Sequence, residues 1–573
     1  MAVTQPTESG RRGRKAKAPK PADTVQIPRR VWMATLVLLV AAFMELMDVT
    51  MANVAIPSIQ QDLGASYGQV QWVVAGYALA FSVGLLTGGR LGDIFGRRRM
   101  FLAGLIGFMA TSAMCALAPN PDVLVTARVL QGLTAAVMLP QVLASISVWF
   151  PEEKREAAFG LVGAVSGLGG LTAPLIGGSL INANLFGEHW RPIFMINVPI
   201  GLITLIAALK LVDESHAPRR LSLDPVGTLI GGAGVFLVVF PVIQGRDAGW
   251  PAWVWVMLAA SLPVLALFVA VERAKTRKDG SPLVDLALFR DRSFATALAV
   301  TLVFFAGVTA IAFTVEVFLQ SGFSYSAFRA GVALVPLAFG LIVGSGLSIG
   351  LSQKLGRTVL QVGALVSIGG VLWLASVVGG HTSDLSGWTI VAPLLVTGIG
   401  LGLFVAPLND LVLKGAPPES AGSASGLQST MIQAGSAIGV AVLGVILFNG
   451  IGDGADAASA KTAGTLTRNL VAAGLPGDQA AKVAAASATC FHDQAKATDP
   501  TVVPASCAGA PAALPPAARQ AVATAATAAV RDDFAGSMKT TLAWDAGVFA
   551  AAGALVFLLP KRRRAVQEAA AGN

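Results

Sequence analysis

The sequence predicts an all-α protein that crosses a membrane fourteen times, and three observations carry that reading. Charged residues are 13% of the 573, about half the share of a soluble domain, and the mean hydropathy is +0.69. Apolar runs long enough to cross a bilayer as helices recur near 31–56, 70–89, 100–118, 123–148, 157–183, 191–212, 224–244, 252–272, 294–319, 330–351, 358–379, 388–412, 422–450 and 540–560. Basic residues gather in every second gap between those runs, the pattern of loops held on the cytoplasmic side.

The elements follow in order. Residues 1–30 are a polar arm carrying Arg11, Arg12, Arg14, Lys15, Lys17, Lys20, Arg29 and Arg30, expected to be disordered and to precede an uncleaved first span. With this arm inside, the inside loops hold Arg90, Arg97, Arg98, Arg99, Lys154, Arg155, Lys210, Arg219, Arg220, Arg273, Lys275, Arg277, Lys278, Arg290, Arg292, Lys354, Arg357, Lys414 and the tail Lys561-Arg562-Arg563-Arg564. The short outside loops hold only Arg191, Arg246 and Arg329. Both termini are therefore expected in the cytoplasm, and a thirteen-span count is rejected because it puts the basic tail outside. The net charge of +9 is spent on orientation and on anionic lipid, not on nucleic acid.

The stretch Gly350-Leu351-Ser352-Gln353-Lys354-Leu355-Gly356-Arg357 echoes Arg90-Leu91-Gly92-Asp93-Ile94-Phe95-Gly96-Arg97, with Gln353 in place of the aspartate. Repeated halves with a site at their interface are a common transporter plan. The spans 224–244 and 252–272 then read as a pair inserted between two bundles. The expected organisation is an arm 1–30, a first six-helix bundle 31–212, the inserted pair with a cytoplasmic linker 213–293, a second six-helix bundle 294–560, and a cytoplasmic tail 561–573. Within the second bundle, 451–539 is Ala/Thr-rich and too polar to span, so it is expected to be an extracytoplasmic cap or hairpin with helical Ala-rich pieces such as 478–489 and 517–531, the plainer alternative being disorder. Cys490 and Cys507 both lie in it, and in an oxidising compartment they are expected to be bridged. Cys115 lies in an apolar run and is expected to be packing.

Several polar residues stand out against this background. The first span contains Glu45-Leu46-Met47-Asp48-Val49-Thr50-Met51-Ala52-Asn53. Its two acids lie three apart, on one helical face. Acids inside a membrane are costly and face a cavity or a partner; two this close resist ionising together, so the pair suits proton binding. The plainer alternative is a pair satisfied by neighbouring helices. Arg128 in the fourth span needs an anion or several carbonyls, unless it snorkels to the outer interface. Glu316 is either a pocket residue or an acid near the outer interface. In the fifth span, Gly163, Gly167, Gly169, Gly170, Gly177 and Gly178 around Pro174 favour close packing and a bend. In the loop Gly88-Gly89-Arg90-Leu91-Gly92-Asp93-Ile94-Phe95-Gly96-Arg97-Arg98-Arg99-Met100, Asp93 is expected to be ionised and paired among arginines; the plainer reading is a basic hairpin that fixes topology. His189, His216, His381 and His492 fall in separate loops, so no metal site is expected. No glycine-rich loop ending in Lys-Ser/Thr occurs, so ATP is not the expected energy source, and no catalytic constellation points to an enzyme.

The loop from Gly88 to Met100 resembles that between helices 2 and 3 of the major facilitator superfamily of transporters. The Glu45–Pro57 stretch resembles the first-helix signature of its 14-helix drug:proton antiporter branch, with Asp48 at the acidic position. Ala127-Arg128-Val129-Leu130-Gln131-Gly132-Leu133 resembles the family's buried-arginine motif. Ala173-Pro174-Leu175-Ile176-Gly177-Gly178 resembles the antiporter motif of exporters, with Ala173 where the family has glycine. Trp190 to Gly201 and Pro417 to Leu427 resemble the starts of helices 6 and 13, Pro192 being unusual in the first. The resemblance covers about 31–450 and the last span.

It implies a major facilitator fold of two six-helix bundles plus two inserted helices. It implies a cytoplasmic gate at Gly89, Asp93, Gly96, Arg97 and Arg98, and an antiporter motif at Gly169, Pro174, Gly177 and Gly178. Proton coupling falls to Asp48, Glu45, Arg128 and Glu316, with Asp48 facing the cavity as main carrier and Glu45 in a milder role. The substrate pocket is expected to include Asn53, Trp72, Tyr77, Gln131, Met138, Gln141, Phe313 and Glu316. The implied function is a proton-coupled efflux antiporter, monomeric, in a bacterial plasma membrane. It would export hydrophobic or amphipathic drugs or natural products, cationic ones included, by alternating access, with protons as coupling ion and no cofactor. Export of lipids or cell-envelope precursors and proton-coupled import are open on the same fold; the glycine–proline motif favours export.

Overall fold

The computed structural model describes residues 27–559 apart from breaks at 66, 185–186, 216–221, 223, 246–247, 279, 281, 381–384, 386, 415–419, 497–503 and 508–513. The arm up to residue 26, Arg219, Arg220, Arg246, Pro417-Pro418-Glu419 and the basic tail lie outside the described residues. Fourteen candidate spans occur among those described.

The first bundle comprises α1 (Arg29–Leu63), α2 (Tyr67–Phe95), α3 (Arg97–Ala116), α4 (Pro121–Trp149) and α5 (Glu152–Ala183), then a sixth span built from α6 (Pro192–Met195) and α7 (Asn197–Leu211). Local chemistry sets these limits. The Asn120 side chain accepts from the Val123 amide at 3.0 Å and Pro121 takes the first helical position, a start signal for α4. Gly96, at φ +102°, separates α2 from α3 in a backbone region that side chains disfavour.

Two helices follow, α8 (Pro225–Gly245) and α9 (Ala252–Lys278). They pack on each other, and α8 rests against α2. The second bundle comprises α10 (Arg292–Val317), α11 (Ala327–Leu355), α12 (Thr358–Gly380), α13 (Val391–Lys414), α14 (Ala421–Ala472) and, after the short α15 (Gly477–Lys496), α16 (Pro516–Leu555). The Asp291 and Ser326 side chains cap α10 and α11. The two bundles meet along α5 against α11 and along α2 against α14, and α8 touches α14 as well. Arg30 pairs with Asp213 at 2.8 Å, and the Leu559 carbonyl accepts from Arg357. Both described chain ends therefore lie at the end of the bundles that carries the arginine loop.

The stretch 451–539 is a hairpin, and more of it is helical than the pieces 478–489 and 517–531 expected from composition. α14 continues unbroken to Ala472 and α16 already begins at Pro516. Alanine is the best helix former, and a helix already nucleated in the membrane extends without a second nucleation cost. The two extensions and α15 form a helical hairpin with its own small core of Leu466, Leu470, Leu475, Ala480, Ala484 and Ala518. It is pinned by Lys461–Asp532 and His492–Asp456 contacts, each 2.6 Å, and the Cys490 and Cys507 sulfurs are bonded.

Candidate functional site

The acids of α1 lie in a polar network inside the first bundle. Asp48 is 1% exposed and Arg128 fully buried. Arg128 Nη1 donates to Asp48 Oδ2 at 2.5 Å, while Gln131 Nε2 and Asn197 Nδ2 donate to Oδ1 at 3.0 and 2.7 Å. Arg128 Nη1 also donates to Gln131 Oε1 at 2.6 Å, and its Nε to the Val73 carbonyl at 2.9 Å. Ser112 Oγ accepts from Asn197 and Gln131 and donates to the Phe194 carbonyl. Helices α1, α2, α3, α4, α6 and α7 thus converge on one carboxylate.

Glu45, a turn away, has a different setting. It accepts from the Tyr77 hydroxyl at 2.9 Å and keeps 9% exposure. The Arg128 guanidinium carbon lies 4.3 Å from the Tyr77 ring centroid, within cation–π range. Arg128 Nη2 is buried with no hydrogen-bond partner among the described residues, and the Glu45 charge acts on this arginine.

Asp48 therefore does not face an open cavity, contrary to expectation. It is enclosed by donors because the polar residues of α4 and α7 turn inward. Removing one partner of such a buried pair costs about 3–5 kcal/mol.

The second cluster joins the bundles at the arginine-loop end. Asp93 is 2% exposed. Its carboxylate accepts from Arg97 Nη2 at 2.8 Å, and from the Gly422 and Ser423 amides at 3.1 and 3.0 Å. The amides are the free donors of the α14 N-terminus, so an acid of the first bundle caps a helix of the second. A Cβ on Gly89 would lie 2.2 Å from the Gly422 carbonyl oxygen; glycine at both positions permits this approach. Ser425 Oγ completes the joint by donating to the Pro140 carbonyl at 3.0 Å.

Arg97 and Arg98 play different parts. Arg97 is buried on Asp93, whereas Arg98 Nη2 donates to the Leu209 carbonyl near the end of α7 at 2.6 Å. Gly96 sits against Glu214, whose carboxylate accepts from the Arg98 and Arg99 amides at 3.1 and 3.3 Å. Arg90 is buried, and the charges of Asp93, Glu272, Asp285 and Asp224 act on it.

The α5 motif divides between two faces. Cβ atoms on Gly169 and Gly177 would meet Leu46 and Met51 of α1 at 2.7 and 2.9 Å. Pro174 and Gly178 face Gly331 and Phe328 of α11. The motif therefore seats α5 simultaneously on the helix with the acids and on the opposite bundle.

The expected substrate-pocket set does not converge. Gln131 and Tyr77 belong to the acid network. Met138 is buried against Gly104, and the Gln141 amide donates to the Gly88 and Val137 carbonyls at 2.8 and 3.0 Å. Asn53 is exposed, and half-buried Trp72 lies 5.9 Å from Phe240 of α8. Phe313 is half-buried near Gly444, and Glu316 accepts from Gln320 of its own helical turn at 3.0 Å, apart from the Asp48 network. Gln131 and Tyr77 are bonded to neighbouring helices, while Gln141 Oε1 is buried with no partner among the described residues.

Beyond the spans, Asp62 at the far end of α1 meets Arg191 and the Trp190 indole at 2.5 and 3.0 Å. Partial burial pushes this carboxyl up, but those hydrogen bonds outweigh it and hold it below its usual range. Asn197, Ser112 and Glu214 were not singled out by sequence. The signals were present, as buried amide and hydroxyl positions in apolar spans and as an acid one loop from a cluster of arginines.

Comparisons with known proteins agree with this architecture. The profile of the Major Facilitator Superfamily matches residues 38–440. The chain is 39% identical to the probable actinorhodin transporter of Streptomyces coelicolor, over 93% of each chain. It is 36% identical to the tetracenomycin C resistance and export protein of Streptomyces glaucescens, over 74% of this chain and 77% of that one. Among solved structures it resembles the proton:xylose symporter XylE at TM-score 0.52 and 16% identity, covering 73% of this chain and 88% of the other. It also resembles the human organic anion transporter MFSD10 at TM-score 0.53 and 14% identity, covering 73% and 93%. The profile match over most of its length and the fourteen candidate spans make the chain a member of the Major Facilitator Superfamily, a multi-pass membrane transporter of small molecules and not an enzyme.

Proposed function

We propose that the protein is a proton-driven exporter of hydrophobic or amphipathic natural products and drugs, working by alternating access across a bacterial plasma membrane. The observation that carries the coupling is the composition of the acid network. Asp48 pairs with the buried guanidinium of Arg128, and Glu45, one turn away, has no cation of its own among the described residues. With all three ionised, an uncompensated negative charge sits in a low-dielectric interior, which is costly; one bound proton removes it. Asp48 is held by three side-chain donors, Glu45 by the Tyr77 hydroxyl alone. Glu45 is therefore the group that takes and releases the proton, and Asp48 keeps Arg128 in place. When Glu45 loses its proton, the spare Nη2–H of Arg128 is drawn toward it past the Tyr77 ring. That displacement pulls on Asp48, Gln131 and Asn197 together, and so on the packing of α1 against α4 and α7.

The direction and the substrate class rest on the relatives, which are named as transport, resistance and export proteins for antibiotics. The arginine-rich end is the cytoplasmic face by charge. The Asp93 joint is then a cytoplasmic gate, drawn closed, and the disulfide hairpin lies outside, where such bonds persist. Both clusters are complete within one chain, which suits a monomer with protons as the coupling ion and no cofactor. Everted vesicles test this. Adding actinorhodin or tetracenomycin C to acid-loaded vesicles should discharge the proton gradient as the compound accumulates inside. Accumulation with no substrate-dependent proton movement contradicts the reading.

A further inference from the structure

The second bundle contains an acid that the coupling network does not use. Asp545 of α16 is 1% exposed, and neither carboxylate oxygen has a hydrogen-bond partner among the described residues. It faces α10 at Gly307, where an added Cβ would lie 3.2 Å from Asp545 Oδ1 and 2.8 Å from the Phe549 ring. Phe304 stands 5.7 Å from Phe549 and stacks at 4.0 Å on Phe404, so the wall around the acid is apolar and aromatic. Its neighbour Trp544 is 60% exposed on the outer surface, which places the acid on the inward side of the helix.

No charge answers it from the packed elements. α12 carries no titratable residue; α10 carries Arg292 and Glu316, and α14 carries Asp453, Asp456, Lys461 and Arg468. On α16 itself the charged residues are Arg519, Arg531, Asp532, Asp533 and Lys539. Among the described residues none of these groups reaches the Asp545 carboxylate with a hydrogen bond. A bare carboxylate in such a place would bear its full desolvation cost, so the group is present as the neutral acid.

Its position matches that of a residue the first bundle does use. Asn197, on the sixth span of the first bundle, lies fourteen residues before the α7 end at Leu211 and reaches Asp48 on that bundle's first helix. Asp545, on the sixth span of the second bundle, lies thirteen residues before the end of that span at Leu558 and faces that bundle's first helix. Both are about 20 Å from the end of their span at 1.5 Å per residue. Asp48 is furnished for its charged form and Asp545 for its neutral form, in one and the same conformation.

We infer that Asp545 is a second proton-binding site, in the second bundle, loaded when the arginine-loop end is closed and emptied when α10 parts from α16. The proton occupies a carboxylate oxygen of Asp545 and leaves to water once α10, carrying Phe304 and Gly307, separates from Phe549 of α16. This rests on the proton-driven reading above, and it raises the number of protons exchanged per substrate from one to two.

Two measurements on the full-length protein in liposomes test it. Dicyclohexylcarbodiimide adds to protonated carboxyls in apolar surroundings and needs no substrate. Peptide mass mapping should find its adduct on Asp545, fading as the pH is raised, and none on Asp48. The proton-to-substrate ratio, read from the opposing gradients that stall actinorhodin flux, should fall to about half in Asp545→Asn and recover in Asp545→Glu. Size-exclusion profiles establish that each variant is folded. A ratio unchanged in folded Asp545→Asn overturns the inference. If the wild type moves no protons with actinorhodin, the efflux reading fails instead, and labelling alone decides: an adduct on Asp545 upholds the site, and its absence overturns it.

Discussion

Among single side chains, the division of labour between Glu45 and Asp48 is the feature with the sharpest consequences. Glu45→Gln removes the group that titrates but leaves the Arg128–Asp48 pair intact. The proton carried by this cluster should drop out of the cycle while substrate exchange at equal pH on both sides continues, which labelled-substrate counterflow will read. Asp48→Asn instead leaves Arg128 buried without its counter-ion, a loss of about 3–5 kcal/mol. It should lower the thermal transition and abolish both transport and exchange. Adding Arg128→Gln to Asp48→Asn should recover part of that stability, because the orphaned charge goes with it. The acids and the arginine were legible in the sequence because charge is conspicuous in an apolar run. Their roles were not, since these depend on which donors surround each carboxylate. Asn197 read as part of a helix start, and only the crossing of α7 over α1 makes it a partner of Asp48.

Between helices, the Asp93 joint decides whether the arginine-loop end stays shut. Asp93→Asn exchanges charge-assisted hydrogen bonds to Arg97, Gly422 and Ser423 for neutral ones, and bonds to a charged group contribute about 1.5–3 kcal/mol each. The closed state should lose population. Ser425→Cys, placed in the joint, should then react faster with a maleimide supplied from the cytoplasmic face, while substrate affinity changes little. Gly89→Val is a harsher test: its Cβ lies 2.2 Å from the Gly422 carbonyl oxygen, so the closed joint cannot form and cycling should stop. If Gly89→Val transports normally, α2 and α14 do not meet in the cycle. The hairpin gives a milder prediction. Cys490→Ser opens a cross-link between residues 17 apart, worth about 3 kcal/mol, and should lower the melting point of the hairpin without changing the proton-to-substrate ratio. Glycine spacing made the α2–α3 loop recognisable, but its partner is backbone, and backbone amides leave no mark in a sequence. The hairpin and its Ala-rich helices were legible, but their continuity with the last two spans was not. Polarity excludes a span, but it does not exclude a helix that leaves the membrane and continues.

Across the whole molecule, the two bundles share a plan and differ in chemistry. The echo at Gly350–Arg357 marks the repeat, and Gln353 in the place of Asp93 leaves the second bundle without an acid at that loop. The count of spans was legible because a hydrophobic run of fixed length has few alternatives in a membrane. Of the expected substrate-pocket residues, Gln131, Met138 and Gln141 lie along α4 and are buried in the first bundle. Transport in this account is driven by a proton that neutralises the Glu45–Asp48–Arg128 cluster in one conformation and is released in the other. The direct measurement is the pH outside everted vesicles when actinorhodin is added, with wild type and Glu45→Gln compared side by side. The wild type should discharge the gradient in proportion to the actinorhodin taken up, and Glu45→Gln should bind actinorhodin yet move no protons through this cluster. A Glu45→Gln protein that concentrates actinorhodin against a proton gradient as the wild type does would contradict the account.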